Sequence, residues 1–99
     1  MILEVAILNV IPGEQTAFEA AFTRAAPILT SMPGYIAHEL RLCVENRSRY
    51  LLLVQWQTIE DHTVGFRQSE RFTRWRALIG SYFQSPPEVI HLAPVEGLV

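Results

Sequence analysis

The fold is decided by residues 56–72, which read Trp56-Gln57-Thr58-Ile59-Glu60-Asp61-His62-Thr63-Val64-Gly65-Phe66-Arg67-Gln68-Ser69-Glu70-Arg71-Phe72. Thr58 and Ser69 are residue types that cap helix N-termini. Thr58-x-x-Asp61 is a weak capping box, because Asp is shorter than the usual Glu. The stretch therefore predicts a short helix over residues 59–66 and a second helix over residues 70–83, with breaks near Gly65 and Ser69.

Apolar runs bounded by turn residues predict five further elements around this stretch. They are a strand over 2–11 ending at Pro12-Gly13, a helix over 14–30, strands over 35–44 and 49–57 joined by a polar hairpin loop, and a last strand over 88–95. Pro27 is expected to kink or shorten the first helix, and Pro94 to end the last strand or place it at a sheet edge. The order β-α-β-β-α-β over residues 1–99 predicts an α+β, ferredoxin-like domain, an antiparallel sheet with its helices on one face.

The periodicity of two elements predicts which side chains share a face. On the first helix, one apolar face is formed by Phe18, Phe22, Ala25 and Leu29. The strand over 35–44 alternates, with one side formed by Ile36, His38, Leu40, Leu42 and Val44 and the other by Tyr35, Ala37, Glu39, Arg41 and Cys43. We expect the first of these two sides to face a pocket or a subunit contact.

Charge and cysteine content exclude several classes of protein. The formal net charge is -2, and the eight basic residues are all Arg, spread between Arg24 and Arg76 with acids among them. This distribution indicates neither a nucleic-acid footprint nor a polybasic membrane surface. Cys43 is the only cysteine, and the apolar N-terminus carries an early acid and no basic region. We therefore expect a cytoplasmic protein with no nucleic-acid or membrane partner.

The strands over 2–11 and 49–57 are apolar on both faces, which a sheet covered by helices on one side does not require. The uncovered face would form a large apolar patch, and soluble monomers seldom expose one. The pattern predicts a homodimer in which the two sheets pack together about a two-fold axis. The alternative is that termini or loops cover the face, but the chain has few residues to spare for that.

A family resemblance rests on the order and spacing of several loose motifs that together span nearly the whole chain. They are Ile11-Pro12-Gly13, Pro33-Gly34-Tyr35, Tyr50 and Trp56 on the third strand, Thr58-x-Glu60-Asp61-His62, and Ser69-x-x-Phe72. In these motifs the chain resembles the antibiotic biosynthesis monooxygenase family of the dimeric α+β barrel superfamily. The resemblance implies a dimer of ferredoxin-like subunits, each with a pocket between sheet and helices. It is much less specific to activity, since the superfamily includes cofactor-free oxygenases of phenols, anthrones and quinols, haem-degrading enzymes, and proteins of no known activity.

The haem-degrading branch of that superfamily uses an Asn on the first strand, a Trp before the Ser-x-x-Phe motif and a His one turn after it. The corresponding residues here are Ala6, Phe66 and Arg76. Asn9 lies nearer to the Pro-Gly turn than the family Asn would. The departures at all three positions argue against haem degradation, and we expect no cofactor.

His62 is the leading candidate for a catalytic residue. On a helix that starts at Thr58, it shares a side with Ile59 and Phe66, so the imidazole is expected to face inward. A neutral His in an apolar pocket suits a general base near pH 7. The alternative is a structural histidine whose ring is satisfied by a neighbouring carbonyl or carboxylate. Asn9 is the second candidate, either orienting a substrate oxygen or satisfying backbone groups at its strand end.

Aromatic side chains near the candidate base predict a pocket for a flat, apolar ligand. The proposed lining is Trp56, Phe66, Phe72, Trp75, Tyr50, His38 and Phe83. The competing interpretation is that these rings are simply core. His38 and His91 have no partner at metal-ligand spacing, so the sequence predicts no metal site.

Two functions remain open at this point. The resemblance implies a cofactor-independent monooxygenase acting on an electron-rich aromatic of the phenol, anthrone or quinol type. In that chemistry a base removes a proton, the resulting anion passes an electron to O₂, and radical recombination gives a peroxide that collapses to product. The alternative is a non-catalytic dimeric barrel that binds a small hydrophobic ligand.

Overall fold

A computed structural model describes residues 1–98. The elements are β1 (Ile2–Asn9), α1 (Gln15–Thr30), β2 (Tyr35–Leu42), β3 (Arg49–Trp56), a π-helical segment (Asp61–Phe66), α2 (Glu70–Ile79), a 3₁₀ turn (Gly80–Tyr82) and β4 (Glu88–Leu92). The predicted ferredoxin-like order β-α-β-β-α-β is confirmed. Every predicted strand and helix is present, with ends that differ by a few residues.

The four strands form one antiparallel sheet in the order β2-β3-β1-β4. The pairing places Glu4 opposite Val54 on one side and His91 on the other. Because side chains alternate along a strand, Glu4, Ala6 and Leu8 all face the helices. The two central strands, β1 and β3, therefore form the floor on which the helices pack.

The core lies between the sheet and the two helices. The predicted apolar face of α1 is confirmed, since Phe18, Phe22, Ala25 and Leu29 are all buried. From α2 and the π-helical segment, the core receives Phe66, Trp75 and Ile79. Pro27 does not shorten α1, which continues to Thr30. Pro27 has no N–H to donate within the helix, but it lies in the last turns of α1. The Pro27 carbonyl still accepts a bond from the Ser31 N–H.

Three predicted element ends are too long in a way that the chain explains. β4 stops at Leu92, two residues before Pro94, which has no N–H to donate to a ladder. The helix predicted over 70–83 ends at Ile79 and tightens into a 3₁₀ turn, as final helical turns often do. The strand predicted over 2–11 ends at Asn9, followed by an isolated bridge between Val10 and Phe83.

The predicted faces of the strand over 35–44 are wrong at two residues, Tyr35 and Ile36, the second of which is 42% exposed. A register shift between Tyr35 and Ala37 breaks the alternation at the start of β2. As a result, Tyr35 lies on the same side as His38, and its hydroxyl is 2.6 Å from His38 Nδ1. The alternation predicted for the rest of β2 is present from His38 to Leu42.

The segment that follows β3 is held at its start by the predicted capping box. The Thr58 amide and hydroxyl donate to the Asp61 carboxylate at 3.1 and 2.9 Å, and the Asp61 amide donates back to the Thr58 hydroxyl at 3.2 Å. The chain then forms a π-helical turn, in which the Arg67 amide donates to the His62 carbonyl five residues back. The same segment was predicted as an ordinary helix with Ile59 facing inward, but Ile59 is exposed while His62 and Phe66 are buried.

The face of the sheet away from the helices is apolar at its centre, as predicted. The register of the strands places on this open face Leu3, Val5, Ile7, Leu51, Leu53, Ile90 and Leu92. At the edge strand β2, the same face carries Glu39 and Arg41, joined by a salt bridge of 2.9 Å. The residues after β4 leave this face uncovered at its margin, since Ile90 and Leu92 are 48% and 46% exposed.

Within residues 1–98, no helix combines the length and the apolar character needed to cross a membrane.

Candidate active site

A cavity of about 570 Å³ lies between the sheet and the helical layer. Its inner wall is formed by side chains of β1, with Glu4, Ala6 and Leu8 in a row. Its aromatic wall is formed by Phe66, Phe72, Trp75 and Phe83, and its outer end by Arg67, Arg76 and the segment from Gln84 to Pro87. The volume is in the range of small-molecule sites in proteins.

Glu4 is a buried acid at the inner end of this cavity, with 5% of its surface exposed. Burial raises the pKa of its carboxyl group to about 7, although the Trp56 N–H and the positive charge of Arg67 act in the opposite direction. The Trp56 indole Nε1–H donates to Glu4 Oε1 at 2.9 Å. The carboxyl group is therefore fixed in place and partly ionised at neutral pH.

His62 lies beside Glu4, and the residue is 2% exposed. Its Nε2 is 3.4 Å from Glu4 Oε1, and the ring stacks on the Trp56 indole with centroids 5.4 Å apart. Burial lowers the pKa of His62 to about 4, helped by the charges of His91 and Arg67. The imidazole is thus neutral at pH 7, and its contact with Glu4 is a polar contact and not an ion pair.

The second nitrogen of His62 is also occupied. Its Nδ1 is 2.8 Å from His91 Nε2, so one ring donates its N–H and the other accepts. His91 comes from β4, directly across from Glu4 in the pairing with β1. His62 therefore has one hydrogen bond, to His91, and one longer polar contact, to Glu4. The arrangement positions the Glu4 carboxyl group, while Glu4 itself faces the cavity.

The outer end of the cavity is cationic. Arg67 and Arg76 both place their guanidinium carbons over the ring of Phe72, at 5.8 and 5.9 Å from its centroid. Arg67 follows the π-helical segment, and Arg76 lies in the last turn of α2. The wide π-helical turn before Arg67 brings this side chain to the cavity.

The predicted site residues divide into two groups. Four of the predicted aromatic residues line the cavity, namely Phe66, Phe72, Trp75 and Phe83, and His62 lines it as well. Trp56 does not line it, because the indole is fully buried behind His62. Its contribution is to hold the Glu4 carboxylate and the imidazole in place.

Three other predicted residues lie away from the cavity. Tyr50 is buried at the far end of β3, where its hydroxyl donates to Glu19 and burial raises its pKa to about 12. His38 pairs with Tyr35 on the edge strand β2, and burial lowers its pKa. Asn9 lies at the end of β1, where its side-chain oxygen accepts a bond from Arg49 Nε at 3.0 Å. Each of the three therefore contacts another side chain outside the cavity.

The sequence interpretation missed Glu4 and His91. The available signal for Glu4 was a single acid inside an otherwise apolar strand, since acids are rarely buried without a partner. His91 carried no such signal, because its contact with His62 depends on the pairing of β1 with β4.

The three positions that argue against haem degradation, Ala6, Phe66 and Arg76, all line the cavity. Arg76 has no lone pair with which to bind haem iron.

Within residues 1–98, no group of three or more His, Cys, Asp or Glu side chains is arranged to hold a metal ion.

Comparison with known proteins identifies the family. The sequence model of the antibiotic biosynthesis monooxygenase family matches residues 1–78. The chain is 45% identical over 95 residues to the uncharacterized protein YczJ of Bacillus subtilis, a match that covers 96% of this chain and all of that protein. The chain belongs to the antibiotic biosynthesis monooxygenase family.

Solved structures agree with this assignment. A candidate antibiotic biosynthesis monooxygenase from Bordetella bronchiseptica superposes with a TM-score of 0.91 at 39% identity, covering 95% of this chain and 96% of that one. SnoaB, a cofactor-independent oxygenase from Streptomyces nogalater, superposes with a TM-score of 0.80 over 98% of this chain and 95% of its own. At 18% identity, the likeness to SnoaB shows the fold alone.

Proposed function

We propose that this protein is a cofactor-independent monooxygenase that acts on an electron-rich aromatic of the phenol, anthrone or quinol type. The proposal rests on one observation above all, a carboxyl group with a pKa of about 7 at the inner end of an aromatic cavity. Family membership and the fold shared with a cofactor-independent oxygenase support it. The aromatic wall of Phe66, Phe72 and Trp75 suits a flat substrate.

Glu4 serves as the general base in this proposal. A base is most effective when its pKa lies near the working pH, and the Glu4 carboxyl group meets that condition. His62 was the first candidate from the sequence, but its lowered pKa and its hydrogen bond to His91 make it a poor proton acceptor. His62 and Trp56 act instead as positioning residues for Glu4. Asn9 has no part in the proposal, since it lies outside the cavity.

In the proposed reaction, the substrate supplies all the electrons that reduce O₂. For an anthrone, Glu4 removes a proton from the CH₂ group, and the resulting carbanion, stabilised as the enolate, passes one electron to O₂. The carbon radical and superoxide then combine, and protonation gives a hydroperoxide. Loss of water from this hydroperoxide leaves a new C=O group. One oxygen atom enters the substrate, the other leaves as water, and all four electrons come from the substrate. The buried walls of the cavity limit side reactions with water.

Oxygen uptake by the protein with anthrones, quinols and catechols tests this function. We expect the wild type to consume O₂ with at least one of these classes, and kcat/KM to rise with pH through about 7 as Glu4 ionises. Glu4→Gln keeps the shape and the polar contacts of the side chain but removes the base. It should lower kcat by about 10²-fold or more.

Glu60→Gln is the matched control, because Glu60 is exposed at the start of the π-helical segment and lies outside the cavity. This variant should retain wild-type activity. Tight binding of these aromatics without any oxygen consumption would instead support the alternative, a non-catalytic protein that binds a small hydrophobic ligand. Equal activity of Glu4→Gln and wild type would remove Glu4 from the role of base.

We also propose that the working form is a homodimer joined through the open face of the sheet. The support is the apolar centre of that face on β1 and β3, with polar residues at the edge strand β2. An apolar centre with a polar rim is typical of subunit interfaces. The residues after β4 do not cover this face, since Val95 and Leu98 are 62% and 78% exposed.

A further inference from the structure

The cationic rim of the cavity, defined as Arg67 and Arg76, forms no salt bridge with Glu4, although the charge of Arg67 lowers the Glu4 pKa. The two guanidinium groups reach this rim from different elements and lie against the same ring, that of Phe72, with each Cζ within 6 Å of its centroid. Gln84 and Ser85 line the same outer end and add neutral hydrogen-bonding groups. The rim is therefore a cluster of donors at the mouth of an otherwise aromatic cavity.

Neither guanidinium of the rim is neutralised by the protein. Within residues 1–98, neither Arg67 nor Arg76 takes part in a salt bridge or donates a side-chain hydrogen bond. Arg41 and Arg71, in contrast, have protein partners. Guanidinium groups present several donors in a planar fork that matches a carboxylate. Two such groups without partners at the mouth of a cavity are suited to a ligand that brings its own negative charge.

We propose that the substrate is an aromatic acid, with its carboxylate bound by Arg67 and Arg76 at the rim and its electron-rich ring held against the aromatic wall. This inference rests on the proposed function and specifies its substrate class. The cavity has the polarity that such a molecule needs. Its inner end holds the buried Glu4 carboxyl group, its middle holds the rings of Phe66 and Trp75, and its outer end holds the cations.

Binding of a matched pair of probes tests this inference without relying on turnover. The pair is 6-hydroxy-2-naphthoate and 6-hydroxy-2-naphthamide, which differ in charge but hardly in shape. Calorimetric titration at about pH 6 keeps the probe carboxylate ionised and Glu4 mainly protonated. We expect the wild type to bind the acid about tenfold or more tightly than the amide. Added salt should reduce the difference between the two probes, because the rim is exposed.

Arg67→Gln and Arg76→Gln should each reduce the preference for the acid and leave the affinity for the amide nearly unchanged. Arg76→Lys, which retains the charge, should keep part of the preference. Arg74→Gln is the matched control, since Arg74 is an exposed residue of α2 outside the cavity and carries the same charge. It should behave as wild type. Circular dichroism of each variant checks that the fold is intact.

Equal affinity of the wild type for acid and amide overturns the inference, as does failure to bind either probe. An equal loss in Arg74→Gln and the rim variants also overturns it, because the effect would then come from net charge. These outcomes are separable from a failure of the proposed function. Oxygen uptake with neutral anthrones would stand if acid binding failed. Selective acid binding without any oxygen consumption would contradict only the monooxygenase activity.

Discussion

At the scale of single residues, the site depends on two neighbouring groups whose pKa values are shifted in opposite directions. Burial favours the uncharged form of both, so the pKa of the Glu4 carboxyl group rises to about 7 and that of His62 falls to about 4. Each of these groups makes folding stability depend on pH. For Glu4, the folded state holds the proton more strongly, so its contribution is present below pH 4.5 and is lost as pH rises through about 7. For His62, the contribution has the opposite sign and is lost as pH falls from about 6.5 through about 4.

Replacing either Glu4 or His62 should reveal how the remaining group makes the free energy of unfolding depend on pH. In His62→Gln, we expect the free energy of unfolding to fall by about 3 kcal/mol between pH 4.5 and pH 7, because only the Glu4 contribution remains. In Glu4→Gln, stability should rise over the range from about pH 4 to 6.5. Urea denaturation across this range measures both. Parallel pH profiles for the two variants would show that the shifts have the same sign.

The sequence predicted His62 but not Glu4, for a physical reason. His62 and Phe66 fall at helical spacing, and a π-helical turn preserves their common inward direction. β1 is apolar on both faces, so its pattern does not show which face meets the helices and leaves the direction of Glu4 open. Trp56 was predicted to contact ligand because rings suggest a pocket, but its N–H is used to hold Glu4. Contacts across strands, such as that of His91, depend on a register that a single sequence does not specify.

At the scale of elements, the π-helical segment is anchored by its close packing against the turn before β2. Gly34 has a φ of +84°, a left-handed conformation that side chains rarely adopt, and an added Cβ would overlap the Asp61 carboxyl group. The Gly34 carbonyl also accepts the Gln57 N–H at 2.8 Å. Gly34 is thus a contact point between the turn before β2 and the start of the π-helical segment that carries His62.

Gly34→Ala should therefore lower the free energy of unfolding by about 1–3 kcal/mol or more, combining backbone strain with the overlap. Gly13→Ala is the matched control, because Gly13 also has a positive φ, of 92°, but has no neighbouring atom within 4 Å of the added Cβ. Chemical denaturation of the two variants compares them directly. A loss in Gly34→Ala no larger than that in Gly13→Ala would show that Asp61 moves aside at no cost.

At the scale of the whole molecule, the order of elements along the chain was enough to predict the fold class. The apolar open face was predicted from the strands over 2–11 and 49–57, which lack alternation.

Leu51 gives a direct test of the proposed dimer, since it lies on the open face between Ile7 and Arg41. Leu51→Glu should be tolerated in the subunit, where Arg41 is a neighbour, but should oppose burial against a second sheet. Sedimentation velocity should give a mass near twice the 11.3 kDa chain for wild type and near one chain for this variant.

Thr73→Glu adds the same charge on an exposed position of α2 and should remain dimeric. A wild type that sediments as a single chain at micromolar concentration would contradict the proposed assembly.

The two faces of β1 border two different environments, the cavity and the open side of the sheet. Glu4 faces the cavity, while Leu3 and Val5, the residues directly before and after it, face the open side of the sheet. If two sheets meet there, the residues of the subunit contact are adjacent in the chain to the proposed base. The partner subunit then supports the strand that carries the reactive carboxyl group. A small molecule wedged between the sheets would then inhibit the protein without ever entering its cavity.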